Sequence, residues 1–155
     1  LGVNDAATKV EGQNANMFGA DISYHTKLSK LWNAGFNSEF KYGTNVSAFT
    51  AATLAGKNIS DYKMTGFYII PFISRTINEN NKSFVEFTCR YEYLEDVNKN
   101  GNIGRFYTPM LSYVIGDDYT SKISLVGVIS DYSKDIINTN QYSSKLLLLQ
   151  YQIRF

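Results

Sequence analysis

Cysteine, histidine and proline are nearly missing from this sequence: one Cys, one His and two Pro in 155 residues. A single cysteine, Cys89, excludes an internal disulfide, and one His beside one Cys leaves a zinc or iron–sulfur centre without ligands. No apolar run approaches the roughly 20 residues that a membrane-crossing helix needs. Charge is scarce as well, at 19% with a formal net charge of +1, so no field draws nucleic acid to the surface. No Ser/His/Asp set, P-loop or dinucleotide-binding glycine pattern is present, and the expectation is a non-enzyme without a cofactor. The chain opens on Leu1 without a basic-then-apolar leader, which reads as a mature product or a piece of a longer one.

Aromatics are abundant instead, at 15% with 12 Tyr and 10 Phe, and the dominant period is two. Val85, Phe87, Cys89, Tyr91 and Tyr93 alternate with Glu86, Thr88, Arg90 and Glu92. The end of the chain repeats the pattern, with Leu147, Leu149, Tyr151, Ile153 and Phe155 opposite Leu148, Gln150, Gln152 and Arg154. Trp32, Ala34, Phe36, Ser38, Phe40 and Tyr42 oppose Asn33, Gly35, Asn37, Glu39 and Lys41, while Phe18, Ala20, Ile22 and Tyr24 oppose Gly19, Asp21, Ser23 and His25. Such alternation marks strands with one apolar and one wet face. Residues 66–77, 105–115 and 122–134 also read as strands, the first and last with apolar residues on both faces. Only residues 47–55 offer a helix, and a short one.

Links alternate in length. Short polar ones fall at residues 26–30, 78–82 and 117–121, and longer Asn- and Gly-rich ones at 44–65, 96–104 and 135–142. Membrane β-barrels have this asymmetry, with tight periplasmic turns and longer outside loops. The fold expected is therefore all-β, an antiparallel transmembrane β-barrel spanning residues 17–155, with residues 1–16 as an extracellular loop segment. Counting inward from Phe155 at the periplasmic rim gives about seven strands, an odd number that cannot close alone. The expected partners are outer-membrane lipid and the remainder of the barrel, from the same protein or another chain.

On the wet faces, Glu39, Lys41, Glu86, Arg90 and Glu92 are predicted to line a pore, joined near the chain end by Gln150, Gln152 and Arg154. Their signs are mixed, which also fits cross-strand ion pairs that merely keep the wall hydrated. Asp96, Asn98 and Asn100 have the alternate spacing of a calcium loop, followed by Gly101. Tyr107 stands where the bidentate Glu belongs, and hairpin geometry already explains Asn-Gly, so no bound metal is expected. Trp32, Tyr24, Tyr42, Tyr91 and Tyr93 fall near strand ends and outward, as interfacial girdle residues do.

The final residues, Leu148-Leu149-Gln150-Tyr151-Gln152-Ile153-Arg154-Phe155, resemble the terminal strand that the outer-membrane assembly machinery recognises. With Gly66-Phe67-Tyr68-Ile69-Ile70-Pro71-Phe72 and residues 84–96, they look like the C-terminal part of the phosphate-selective porin (porin O/P) family of Bacteroidetes-like bacteria. The resemblance implies a channel of about 16 strands, often a homotrimer, in the bacterial outer membrane. The family's anion-selecting basic residues have no match here, so phosphate selectivity is not carried over. The function expected is a porin, a passive diffusion channel for small polar or anionic solutes. Two alternatives stay open: a non-channel barrel that binds a partner through its outer loops, and a soluble β-rich ligand-binding domain.

Overall fold

In the computed structural model the alternating segments become long strands of one sheet. The structure describes residues 2–5, 8–14, 16–44, 62–96, 102–116, 121–134 and 142–153. A two-stranded antiparallel sheet, β1 (Gly2–Asp5) and β2 (Thr8–Asn14), occupies the stretch read as a loop segment. Then follow β3 (Met17–Lys27), β4 (Trp32–Thr44), β5 (Lys63–Asn78), β6 (Ser83–Asp96), β7 (Asn102–Ile115), β8 (Ser121–Tyr132) and β9 (Ser144–Ile153). These form a 7-stranded sheet in simple sequence order, every neighbouring pair antiparallel. Among the described residues there is no helix, and β3 and β9 are open edges. The helix candidate at residues 47–55 lies outside the described residues.

Most strands outrun the alternation that announced them. Thr44, Thr65, Asp96 and Asn102 extend the ladders although they are polar. Polar residues stand on both faces there, so the ladder continues without a periodic signal in the side chains. One consequence corrects the expected loop asymmetry. β6 reaches Asp96 and β7 starts at Asn102, so the link at 97–101 is as short as the one at 116–120. The other two links on that end, 45–62 and 133–143, remain long.

Register fixes the faces, because partners in a ladder point the same way. One row runs Ile22, Ser38, Ile69, Tyr91, Tyr107, Ile129 and Lys145 across all seven strands. The tight turns brace one another: Lys30 bridges to Glu79 at 2.9 Å, and the Thr76 amide donates to the Leu31 carbonyl at 2.8 Å. Both prolines sit in interior strands, where each lacks a ladder donor. The β5–β6 pairing is accordingly interrupted between Ile69 and Phe72, and the β7–β8 pairing between Tyr107 and Met110. Gly127 opposite Pro109 relieves the crowding, since a Cβ there would lie 3.2 Å from the proline ring.

Candidate functional site

The two faces of the sheet differ in chemistry. One carries Ile22, Phe36, Phe40, Phe67 and Ile69 on β3 to β5, continued by Phe87, Tyr91, Leu111, Leu125, Leu147 and Leu149 on β6 to β9. No second layer covers it among the described residues, and Leu149 is 79% exposed. A contiguous apolar face of this extent marks a surface that meets a partner or an apolar phase. On β5 its apolar run is bounded by Thr65 and Arg75. At roughly 3.3 Å per residue, that run is about 33 Å long along the strand.

Aromatic rings and charges gather at both margins of the apolar face. At one, Phe67 stacks on Tyr93 with centroids 5.5 Å apart, the Tyr93 hydroxyl donates to Glu95 at 3.2 Å, and Arg105 meets Asp131 at 3.4 Å. At the other, the Arg75 guanidinium lies 5.6 Å from the Trp32 ring, and the Ser121 hydroxyl donates to the Tyr151 hydroxyl at 3.4 Å. Tyr24 and Tyr42 fall on this face too, so all five residues expected to form girdles share it. Ser38 is polar near the middle of this face, its hydroxyl donating to the Tyr68 carbonyl at 2.9 Å, and Lys145 ends the same row on β9.

The opposite face holds the ionic groups. Glu39 and Lys41, two apart on β4, pair at 2.6 Å, and Arg90 and Glu92, two apart on β6, pair at 2.9 Å. Between them on β5 stands Tyr68, in register with both Glu39 and Glu92, its ring 4.6 Å below the Arg90 guanidinium. These five side chains and Gly66 border a shallow depression of about 210 Å³. Further along, His25 Nε2 lies 3.4 Å from Asn37 Oδ1 and its ring 5.0 Å from Phe72. Gly35 makes room for that contact, because a Cβ would come within 2.8 Å of the Phe72 ring.

Exposure separates the faces a second time. Ser112 and Ser124 are each 2% exposed, whereas Leu111 and Leu125 beside them are 50% and 48%. A single layer produces this inequality when it curls with its polar face inside, crowding one set of side chains and splaying the other. Ser112 and Ser124 meet the crowding by hydrogen-bonding each other at 2.9 Å across β7 and β8.

Of the residues expected on the wet side, Glu39, Lys41, Glu86, Arg90, Glu92, Gln150 and Gln152 all lie on this polar face. Arg154 lies outside the described residues. Glu39, Lys41, Arg90 and Glu92 are brought together; Gln150 and Gln152 stand on the far edge strand. Asn98 and Asn100 of the calcium-loop pattern, with the Asp96 side chain, are outside the described residues. Two features escaped the sequence reading. Tyr68 sits in Phe67-Tyr68-Ile69-Ile70, where alternation gives no facing, and only the register of β4 and β6 assigns it. Asn102, 6% exposed, clamps the residues after β8: its amide donates to the Lys134 carbonyl at 3.1 Å and accepts from the Ser133 hydroxyl at 2.9 Å. The chain matches no protein-family model, no curated protein and no solved structure.

Proposed function

We propose that this sheet is the C-terminal part of a bacterial outer-membrane β-barrel that acts as a passive diffusion channel for small polar or anionic solutes. The observation that carries the reading is the sheet's two-faced design. A bare apolar face with aromatic margins suits lipid, and a curled polar face with hydrated ion pairs suits a water-filled lumen. Strands of 10 to 16 residues are long enough to cross at a tilt. The ion pairs mix both signs, so the wall favours passage of polar solutes over strict selection by charge.

The open edges support a larger assembly. Neighbours are antiparallel throughout, so β3 and β9 run in the same direction, and closing one on the other needs a parallel junction. Left open in hydrocarbon, each unpaired backbone group costs several kcal/mol. Further polypeptide therefore pairs with both edges, giving a barrel of about 16 strands in the reading that the family resemblance suggests. Reconstitution of the membrane-inserted protein into planar bilayers tests the proposal. Steady unitary current steps, proportional to voltage, are expected. A correctly inserted, heat-resistant barrel that passes no current rules the channel out, and a chain that stays monodisperse without detergent rules out the membrane.

A further inference from the structure

The polar face is not uniform from strand to strand. Its charged groups lie on β3 to β6, among them Asp21, Glu39, Lys41, Glu86, Arg90 and Glu92. On β7 to β9 the same face carries, among the described residues, a single charge, Lys122 near one margin. An apolar strip takes over there. Met110, Val126 and Leu148 form one row, and Val128 pairs with Leu146 in the next. β9 thus has leucine on both faces, since Leu147 and Leu149 belong to the opposite one. A strand wetted on one side gains nothing from leucine there; Leu146 and Leu148, 54% and 43% exposed, lower the free energy only against something apolar.

The strip directly adjoins the ionic strands, because Thr88 pairs with Met110 and Arg90 with Thr108. Each ion pair on those strands presents a carboxylate and a cation side by side, Glu39 with Lys41 and Arg90 with Glu92. Such a surface complements a molecule that carries both signs better than it complements an anion or a cation alone. We propose, resting on the reading that this face lines a channel, that its preferred solutes are zwitterions with apolar side chains, of which small apolar peptides are the simplest. Their charged ends run along β4 to β6 while their side chains run along β7 to β9. From β6 to β9 is three strand spacings, roughly 14 Å, wide enough for a dipeptide lying across the wall. Apolar contact is non-directional and this strip is shallow, so such a solute is retained weakly and still released.

The test compares diglycine with dileucine, which share their charged ends and differ only in apolar side chains. Each is titrated against the unitary current of the membrane-inserted protein. Dileucine is expected to reduce the mean current at about tenfold lower concentration than diglycine. Replacing the strip by Met110→Ser with Leu148→Ser is expected to erase that difference while salt conductance persists, and the milder Val126→Thr to shrink it. Equal reduction by both peptides in the unaltered protein overturns this inference and leaves the channel reading standing. No current at all from a folded, inserted barrel overturns both, and points to polypeptide covering the strip.

Discussion

Leu111 and Met110 are neighbours on β7 with opposite facing, and arginine at each separates the two faces in one experiment. Leu111 is paired with Phe87 and Leu125 on the apolar face, half exposed and one same-face position inside the Arg75 margin. Met110 is paired with Thr88 and Val126 on the polar face. Arginine facing lipid near the midplane costs roughly 2–4 kcal/mol, falling to about 0–1 near the interfaces. Leu111 stands two residues in from Tyr113, the partner of the Val85 that faces Arg75, and so lies roughly 5 Å inside the nearer margin at the tilt of a membrane strand. The penalty expected lies between those limits, roughly 2 kcal/mol, a factor of about 30 in the folded ratio. Met110→Arg keeps its guanidinium in water and is expected to cost about 1 kcal/mol, for lost packing against Val126. The assay is urea unfolding of the protein from vesicles, read by the heat-resistant band and intrinsic fluorescence. Equal losses for both variants, or a larger loss for Met110→Arg, refute the assignment of faces. Val85 is a poorer probe, because it pairs with Arg75 and so lies beside the aromatic margin.

Three other outcomes are expected. Asn102→Ala removes the clamp on Ser133 and Lys134 and is expected to cost about 1–3 kcal/mol, with faster tryptic cleavage after Lys134; unchanged cleavage contradicts the clamp. Ser112→Ala and Ser124→Ala each orphan a buried hydroxyl and are expected to cost about 1 kcal/mol, while the double variant costs less than their sum in a denaturation cycle; additivity contradicts the coupling. Arg90→Glu leaves Glu92 beside another carboxylate and is expected to move the reversal potential toward cations by less than about fivefold in permeability ratio, because the pair is partly exposed; a shift toward anions contradicts its placement on the lumen side.

The strand order and the facing of β6 were legible because Val85 to Tyr93 alternates without a break, and the ladder with β7 keeps that alternation. β5 and β8 were harder. Ile69, Ile70, Phe72 and Ile73 are apolar on both sides of β5, so their facing comes from partners distant in sequence. Strand ends were missed where both faces turn polar, and this is why residues 97–101 looked like part of a longer loop. The ionic cluster was half legible: alternation found Glu39, Lys41, Arg90 and Glu92 separately, but only register sets Tyr68 between them. Asn102 was hidden because its partners lie 31 and 32 residues away, and nothing in its local spacing announces them.

In the proposed barrel one face of this sheet meets hydrocarbon and the other meets water. A cysteine scan of residues 106–113 on β7, in a Cys89→Ala background with the protein in vesicles, measures it directly through spin-label collisions with oxygen and with a water-soluble nickel complex. A period of two is expected. Labels at Tyr107, Pro109, Leu111 and Tyr113 collide with oxygen and are shielded from nickel, while those at Phe106, Thr108, Met110 and Ser112 show the reverse. Nickel access on both faces, or a pattern with the two sets exchanged, contradicts it.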